Sequence, residues 1–475
     1  MTVDNINVDA ALKKVQDLVA AEKDLSPALK AALEVLLLLV TILANRLGLN
    51  SKNSSKPPAS DPNRKKTLKE PGARKPGGQQ GHIGSTLKPV AEPDLVKEIA
   101  IDRSTLPKGE YKPAGYESRQ VIDLDISIFV TEWQAEVLED QNGKRYVAPF
   151  PEDVTRPVQY GIGVKTNAVY MSQYQLIPYN RIEDHFQDQI GIPISAGTIN
   201  NFNKDAFERL EYFETWVKDR LLSSLLVHSD ETGINVGGKR RWLHNVSNSD
   251  FTYFYPHLKR GCEAMDEMGI LPTYRGIACH DHWKPYFKYG CFHSLCNAHH
   301  LRELERAVEQ ENQKWAEKMI VLLKEINNAT HKAGGQLGIE ESWCYVKRYR
   351  DILQEADKEC PAPVKTDKKK GKTARSRARN LLERLREFET ETLRFMVDNK
   401  VPFSNNQAEN DLRMTKVQQK ISGCFRSMEG AKIFCRIRSY LSTCRKQGVT
   451  MSEALRLLFQ GKWPEFMNVK EQGAE

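Results

Sequence analysis

The sequence predicts an α/β core set among helical segments, and three observations point to it. Residues 225–232 read as a buried strand carrying Asp230 out of its C-terminal end, followed by the Gly237-Gly238 turn and the returning apolar and aromatic run 242–246. Residues 251–255 continue the meander, a short helical piece surrounds 263–268, and residues 276–280 make a fourth strand that ends at Asp281. Beyond residue 296 the pattern becomes long and helical. A crossover of this kind returns the fourth strand parallel to the first and beside it. Asp230 and Asp281 are therefore expected at neighbouring strand ends. With the distant Glu409 they make a candidate divalent-metal set suited to phosphodiester chemistry. Strands also end in Asp merely to start a turn; the strand order leading into both carboxylates singles this pair out.

Length and charge bound the alternatives. A chain of 475 residues should divide into three or four units at roughly 100–200 residues each. With 40% hydrophobic and 28% charged residues it has the composition of a soluble globular protein with exposed polar segments. The net charge of +8 is mild, but the excess is clustered, which favours polyanion-binding faces and nucleic acid as partner. All nine cysteines lie at or beyond Cys262 without a paired secretory framework, and no leader pattern precedes the first helix, so a cytoplasmic location is expected. No run reaches the roughly eighteen apolar residues that span a bilayer, so no membrane role is expected.

In chain order, residues 1–49 form a leucine-rich helix, started by Ser26 as cap and Pro27 in the first turn. Leu29, Leu33, Leu36, Val40, Leu43 and Leu47 alternate steps of four and three, the seam of a coiled coil or equally the inner face of a packed helix. The apolar run 35–40 widens that face towards a higher oligomer. Residues 50–94 are a basic, Pro/Gly-rich arm. Eight basic side chains between 51 and 75, among them Lys65, Lys66, Arg74 and Lys75, stand against Asp61 and Glu70. Such a run neutralises phosphates without needing a fold, or is a solvated linker.

Residues 95–155 alternate as short strands at 95–101, 118–129 and 131–138, closed by Gln141-Asn142-Gly143: a small β module. Residues 156–222 turn helical. Their break at Gly191-Ile192-Pro193, with Ser195 or Thr198 as the next cap, has the form of a helix-turn-helix and equally of two structural helices. Residues 223–295 hold the first part of the core, and 296–400 a helical stretch. Cys291, Cys296, His299 and His300 lack the spacing of a paired zinc finger, so packing of a helix start beside the site is their expected role. Eight Lys or Arg between 365 and 379, including Lys369, Lys370 and Arg375, face Asp367 alone, as a clamp on DNA or an exposed helical face. Residues 401–475 complete the core. Asn405-Asn406 read as a cap, placing Glu409 in the first turns on one side with Arg413, Lys416 and Lys420. Arg426 and the helix of Arg436, Arg438 and Arg445 continue this basic theme.

The order of these motifs resembles the insertion sequence 66 family of bacterial transposases over nearly the whole chain. The resemblance rests on the leucine-rich amino-terminal helix, the 53–58 and 78–82 motifs, Asp230-Glu231-Thr232, Cys296-Asn297-Ala298-His299, and Asn405-Asn406-Gln407-Ala408-Glu409 running into 420–423 and 438–443. It implies a ribonuclease-H-like catalytic core with a large helical insertion and a DDE triad at Asp230, Asp281 and Glu409. The chemistry of such a site calls for two Mg²⁺ (or Mn²⁺) ions about 3.5–4 Å apart, held by hard oxygen ligands. The expected activity is cleavage at transposon ends and joining of the 3′-hydroxyls to target DNA, without a covalent protein–DNA intermediate. Implied partners are transposon-end and target DNA, further copies of the chain, and other proteins of the same element. A nuclease that cuts without joining, and a DNA-binding protein without catalysis, are the rival classes; the presence of all three acids counts against the second.

One departure from that family stands out. Its members often carry a small zinc module with two Cys-x-x-Cys pairs, whereas residues 101–151 contain neither cysteine nor histidine. Zinc is not expected in residues 95–155. Packing of Val121, Leu124, Ile126, Ile128 and Val130, with Trp133 and Tyr146, is expected to replace it.

Overall fold

The computed structural model describes residues 2–3, 6–22, 24–50, 52–54, 87–363 and 375–468. Residues 65–148 form one compact unit, and the rest of the chain forms another. The larger unit opens with the two-residue strands β1 (Thr2–Val3) and β2 (Ile6–Asn7), then helices α1 (Val8–Ala21) and α2 (Pro27–Leu47). Helix α2 is the leucine-rich helix expected to start at Ser26 and Pro27, and a further helix, α1, precedes it. Ser26 caps α2 as expected, its Oγ accepting the Leu29 N–H at 3.3 Å. Leu29, Leu36, Val40, Leu43 and Leu47 are all exposed, and the buried leucine is Leu37, off the seam. By length and composition α2 could cross a membrane, which corrects the expectation that no stretch is apolar enough. Its C-terminal end is tied to the body of the unit: the Gln310 amide donates to the Asn45 carbonyl at 3.0 Å.

In the smaller unit, described from residue 87, one antiparallel hairpin forms: β3 (Val137–Glu139) with β4 (Arg145–Val147). Its turn uses Gly143 at φ +79°, a conformation glycine adopts without a steric cost. The strands expected at 95–101 and 118–129 are not formed. Val121, Leu124, Ile126, Ile128, Val130, Trp133 and Tyr146 are exposed, so the expected packed face is not formed. Alternating hydrophobicity marks a strand only when a second layer is there to cover it.

The expected meander and crossover are present in the larger unit. Strands β5 (Leu226–Val236), β6 (Lys239–Ser247), β7 (Thr252–His257), β8 (Ile277–His280) and β9 (Phe292–Leu295) form a sheet in the order β7-β6-β5-β8-β9. The first three are antiparallel neighbours, and β8 and β9 continue parallel to β5. Helix α7 (Cys262–Met268) lies in the crossover. Sequence reading missed β9, whose four residues are too few to show a period. Asp230 also proves to lie mid-strand, paired with Asn245 of β6, and not at a strand end. Only its parallel neighbour β8 stops, at His280.

Edge strand β7 is protected by a helix. The N–H groups of Thr252 and Phe254 donate to the hydroxyls of Thr443 (3.1 Å) and Ser439 (2.9 Å), four residues apart on α14 (Met428–Lys446). This occupies edge donors that would otherwise template pairing with another chain. Helices α3 (Ile162–Val169), α4 (Tyr179–His185), α5 (Ala196–Arg209), α6 (Glu211–Leu222) and α15 (Met451–Phe459) share a core with α14 and one face of the sheet. The α4–α5 pair has the expected break, Gly191 at φ +78° and Ser195 as cap. Ile199, Phe202, Asn203 and Ala206 of α5 are buried, which favours the structural pair over a helix presented to a groove.

Helices α8 (Asn297–Glu311), α9 (Lys314–Lys332), α10 (Ile339–Glu359), α11 (Arg377–Glu387) and α12 (Glu389–Leu393) follow β9 and build a second core before α13 (Asn406–Ser422) returns to the sheet. Trp315, Met319, Leu322, Leu323 and Ile326 line the buried face of α9 at helical spacing. Each such side chain contributes about 1.5–3 kcal/mol by leaving water, and Leu226 of β5 and Ile277 of β8 pack against the same core. A mixed sheet with flanking helices and a helical insertion is consistent with the ribonuclease-H-like core implied by the resemblance.

Candidate active site

Strand register brings the first two carboxylates together. His228 of β5 pairs with Cys279 of β8 in parallel. The same offset, two residues on, sets Asp230 opposite Asp281. Glu409 arrives from α13, whose start is fastened to β5 by one side chain. Asn405 Nδ2 donates to the Ser229 carbonyl and its Oδ1 accepts from His228 Nδ1, both at 2.8 Å; its backbone N–H donates to Cys296 Sγ at 3.1 Å. Asn405 does occupy the cap position, but its side chain makes no capping bond. It is a staple between α13, β5 and the start of α8, and it fixes Glu409 one helical turn away, the Glu409 N–H donating to the Asn405 carbonyl at 3.3 Å.

The cluster is electrostatically loaded. Burial pushes the Asp230 carboxyl well above the usual carboxylate range, and the negative charges of Glu231, Asp281 and Glu409 push it further. The Glu409 Oε1 atom is buried with no hydrogen-bond partner among the described residues, and so is His299 Nδ1, which lies 3.8 Å from it. Arg302 Nη2 is 3.6 Å from the same oxygen. Neighbouring carboxylates with an orphaned oxygen are the donor set a hard divalent cation satisfies. Mg²⁺ therefore fits these residues. Zinc fits poorly, although Cys296, His299 and Glu409 offer atoms within 4.8 Å of one another: burial raises the Cys296 thiol to about 11, and its sulfur already accepts the Asn405 N–H. A second group, His257, Glu263 and Glu267, has its donors engaged. His257 Nδ1 accepts from the Lys259 N–H (3.1 Å), its Nε2 faces Glu267 (3.3 Å), and Glu263 pairs with Lys259 (2.6 Å).

The neighbouring Glu231 points to the opposite face of β5, as strand alternation requires. Its side chain is only 1% exposed, and its oxygens accept from Arg260 (2.5 and 2.7 Å) and from the Tyr286 hydroxyl (2.6 Å). Arg260 lies over the rings of Trp242 and Trp283, 5.0 and 4.2 Å from their centroids. The backbone N–H of Trp283 in turn donates to Asp281 Oδ1 at 2.9 Å. The brace thus links the reverse side of β5 to the loop that presents Asp281.

A buried histidine beside this brace contributes to the acid response of the fold, as do the buried His280 and the half-buried His282, which burial lowers to about 3 and about 4. Burial lowers the His244 pKa to about 4; the bond to the Lys259 carbonyl acts against that, and the charges of His257 and Arg260 act with it. A folded value below the unfolded ~6.5 means stability is complete above ~6.5 and is lost as pH falls towards about 4, on the order of 3 kcal/mol in all. Urea unfolding at pH 7 and pH 5 should show this loss, reduced in His244→Gln. An equal loss in both proteins would discard His244 as its source.

Of the expected DNA-contacting residues, Arg413, Lys420 and Arg426 are exposed. Lys416 Nζ donates to the Gly233 carbonyl at 2.7 Å and feels the charge of Asp230. Arg375 is ion-paired with Glu383. Lys65, Lys66, Arg74, Lys75, Lys369 and Lys370 lie outside the described residues. Two of the three arginines expected to extend the basic theme along α14 do not: Arg436 pairs with Glu214 at 2.5 Å, and the buried Arg438 donates to the Tyr174 carbonyl at 3.0 Å, while Arg445 is exposed and donates to the Tyr174 hydroxyl at 2.9 Å. Arg436 and Arg438 are structural.

Residues 158–433 match the Transposase IS66 family, a span that runs from α3 to the first turns of α14 and takes in all three carboxylates. The chain belongs to the IS66 transposase family. Residues 2–88 match a family of unknown function, DUF6444. No curated protein matches the chain. Membership of the IS66 family supports DDE-type transposase activity on DNA. Sequence reasoning did not find Glu231, Arg260, Arg302 or Arg384. A strand places Glu231 opposite Asp230 by period alone, and His299 and Arg302 share a helical face at a spacing of three; both signals were there to be read.

Proposed function

We propose that this IS66 member cleaves DNA at transposon ends and joins the freed 3′-hydroxyls to target DNA, with Asp230, Asp281 and Glu409 as catalytic residues on a ribonuclease-H-like core. The observation that supports the proposal is the approach of three carboxylates from β5, the end of β8 and α13, with the Asp230 carboxyl raised by burial and by the negative charges of Glu231, Asp281 and Glu409. Asp230, Asp281 and Glu409 would hold the divalent ions. Bound Mg²⁺ or Mn²⁺ supplies Lewis-acid stabilisation of the attacking and leaving oxygens of an in-line displacement. The protein holds those carboxylates in place: Asn405 fixes the approach of α13, Trp283 orients Asp281 through its backbone N–H, and Arg302 steadies Glu409.

Arg413, Lys420 and Arg426, with the basic runs at 51–75 and 365–372, are proposed phosphate contacts; Arg375 and the buried Arg379 are taken up by Glu383 and Asp357. The exposed leucines of α2 are the proposed contact between copies of the chain; other proteins of the element are proposed as further partners, and the cytoplasm as location. Labelled transposon ends incubated with target DNA and Mg²⁺ test the reading. Joined product is expected. Cutting without joining would make the protein a nuclease, and binding without either a DNA-binding protein.

A further inference from the structure

Next to the carboxylate cluster is a cavity of about 310 Å³, lined by arginines from two helices of the insertion, Arg302 and Arg306 of α8 and Arg377 and Arg384 of α11, and by Asn53 and Ser54. His299 lines it too, so the cavity borders the orphaned Glu409 oxygen. Its two acids are already committed. Glu303 pairs with Arg384, and Glu311 accepts the Ala378 N–H at 3.1 Å at the start of α11. Arg302 leans on Glu409, and the field of Asp281 reaches Arg384. That leaves Arg306, whose Nε donates to Gln310 at 3.0 Å, and Arg377, which has no ion-pair partner among the described residues. Asn53 stands at the cavity because its Nδ2 donates to Glu309 Oε2 at 2.5 Å. Four guanidinium groups against two engaged carboxylates form a receptor for phosphate oxygens.

We infer that this cleft binds the sugar-phosphate backbone of the DNA strand next to its reacting phosphodiester, with Arg306 and Arg377 as the principal phosphate ligands. This rests on the proposed action on DNA, and it assigns the insertion a part in holding that strand. The contact is to phosphate, so it lowers affinity for all sequences alike when lost.

Fluorescence anisotropy with transposon-end duplex, without divalent ions, tests it. The Arg306→Ala/Arg377→Ala variant should bind at least 10-fold more weakly at moderate salt. Its salt slope should fall by about one to two units, roughly one per lost contact, and Arg306→Lys/Arg377→Lys should recover most of both. A methylphosphonate placed in turn at each phosphate flanking the cleavage point gives a second readout on the unsubstituted chain. One or two neutralised positions should weaken its binding yet leave the alanine variant's unchanged. An unaltered slope in a variant that melts like the parent, or no sensitive phosphate, overturns the cleft while leaving the proposed chemistry standing. A reduced slope in a protein that neither cuts nor joins keeps the cleft and removes the chemistry.

Discussion

Asp230→Asn, Asp281→Asn and Glu409→Gln are each expected to reduce Mg²⁺-dependent cleavage and joining by on the order of 10³-fold or more, while leaving DNA binding largely intact. Each amide keeps the size of the side chain and removes the charge that holds a cation. Asp230→Asn should also stabilise the protein without divalent ions. The folded pKa of Asp230 is raised, so its share of stability is full below the unfolded carboxylate value and is lost as pH rises through the folded one. At neutral pH the neutral amide avoids that cost, and the melting temperature should rise. Mg²⁺ should raise the melting temperature of the parent, since ligands that bind only the folded state stabilise it, and should have much less effect on the variants. Parent-level cleavage in any one variant removes that residue from the triad.

Arg260→Met is expected to cost about 2 kcal/mol and to lower activity without touching a proposed metal ligand. Removing one partner of a fully buried ion pair costs ~3–5 kcal/mol; the guanidinium here is 39% exposed, so the figure is discounted for solvent screening. The loss arises because Glu231 stays buried beside Asp281 with only Tyr286 as donor. Glu231→Gln in the same chain should restore much of the stability, because the uncompensated charge is then gone. Denaturant unfolding of the two single variants and the double variant measures the coupling. Additive losses would show that the brace is not a unit.

The two core aspartates were legible because a β-strand meander with a helical crossover has few topologies, and the handedness rule leaves β8 beside β5. Glu409 was legible as a carboxylate in the first turns of a basic helix, yet its membership of the cluster came from motif resemblance. No local rule says which end of α13 approaches the sheet. That is decided by Asn405, which reads as an ordinary cap and acts as a clamp on His228 and Ser229. The same local reading failed on α14. Arg436 and Arg438 look like phosphate ligands in sequence, but burial turns them into braces for α6 and for the chain around Tyr174.

The sequence by itself determined core strands β5 to β8, the cap of α2, the break between α4 and α5 and the absence of zinc ligands in residues 101–151, because these follow from local periodicity, turn chemistry and ligand inventory. Only the tertiary structure decided that Asp230 sits mid-strand, that Glu231 faces away from it onto Arg260, that residues 118–130 remain exposed, and that arginines of α8 and α11 converge beside Glu409. The physical reason is that burial and charge compensation are properties of contacts between residues distant in sequence. The Glu231–Arg260 pair closes over 29 residues and the Asn405–His228 bond over 177, far beyond the reach of a strand or helix period.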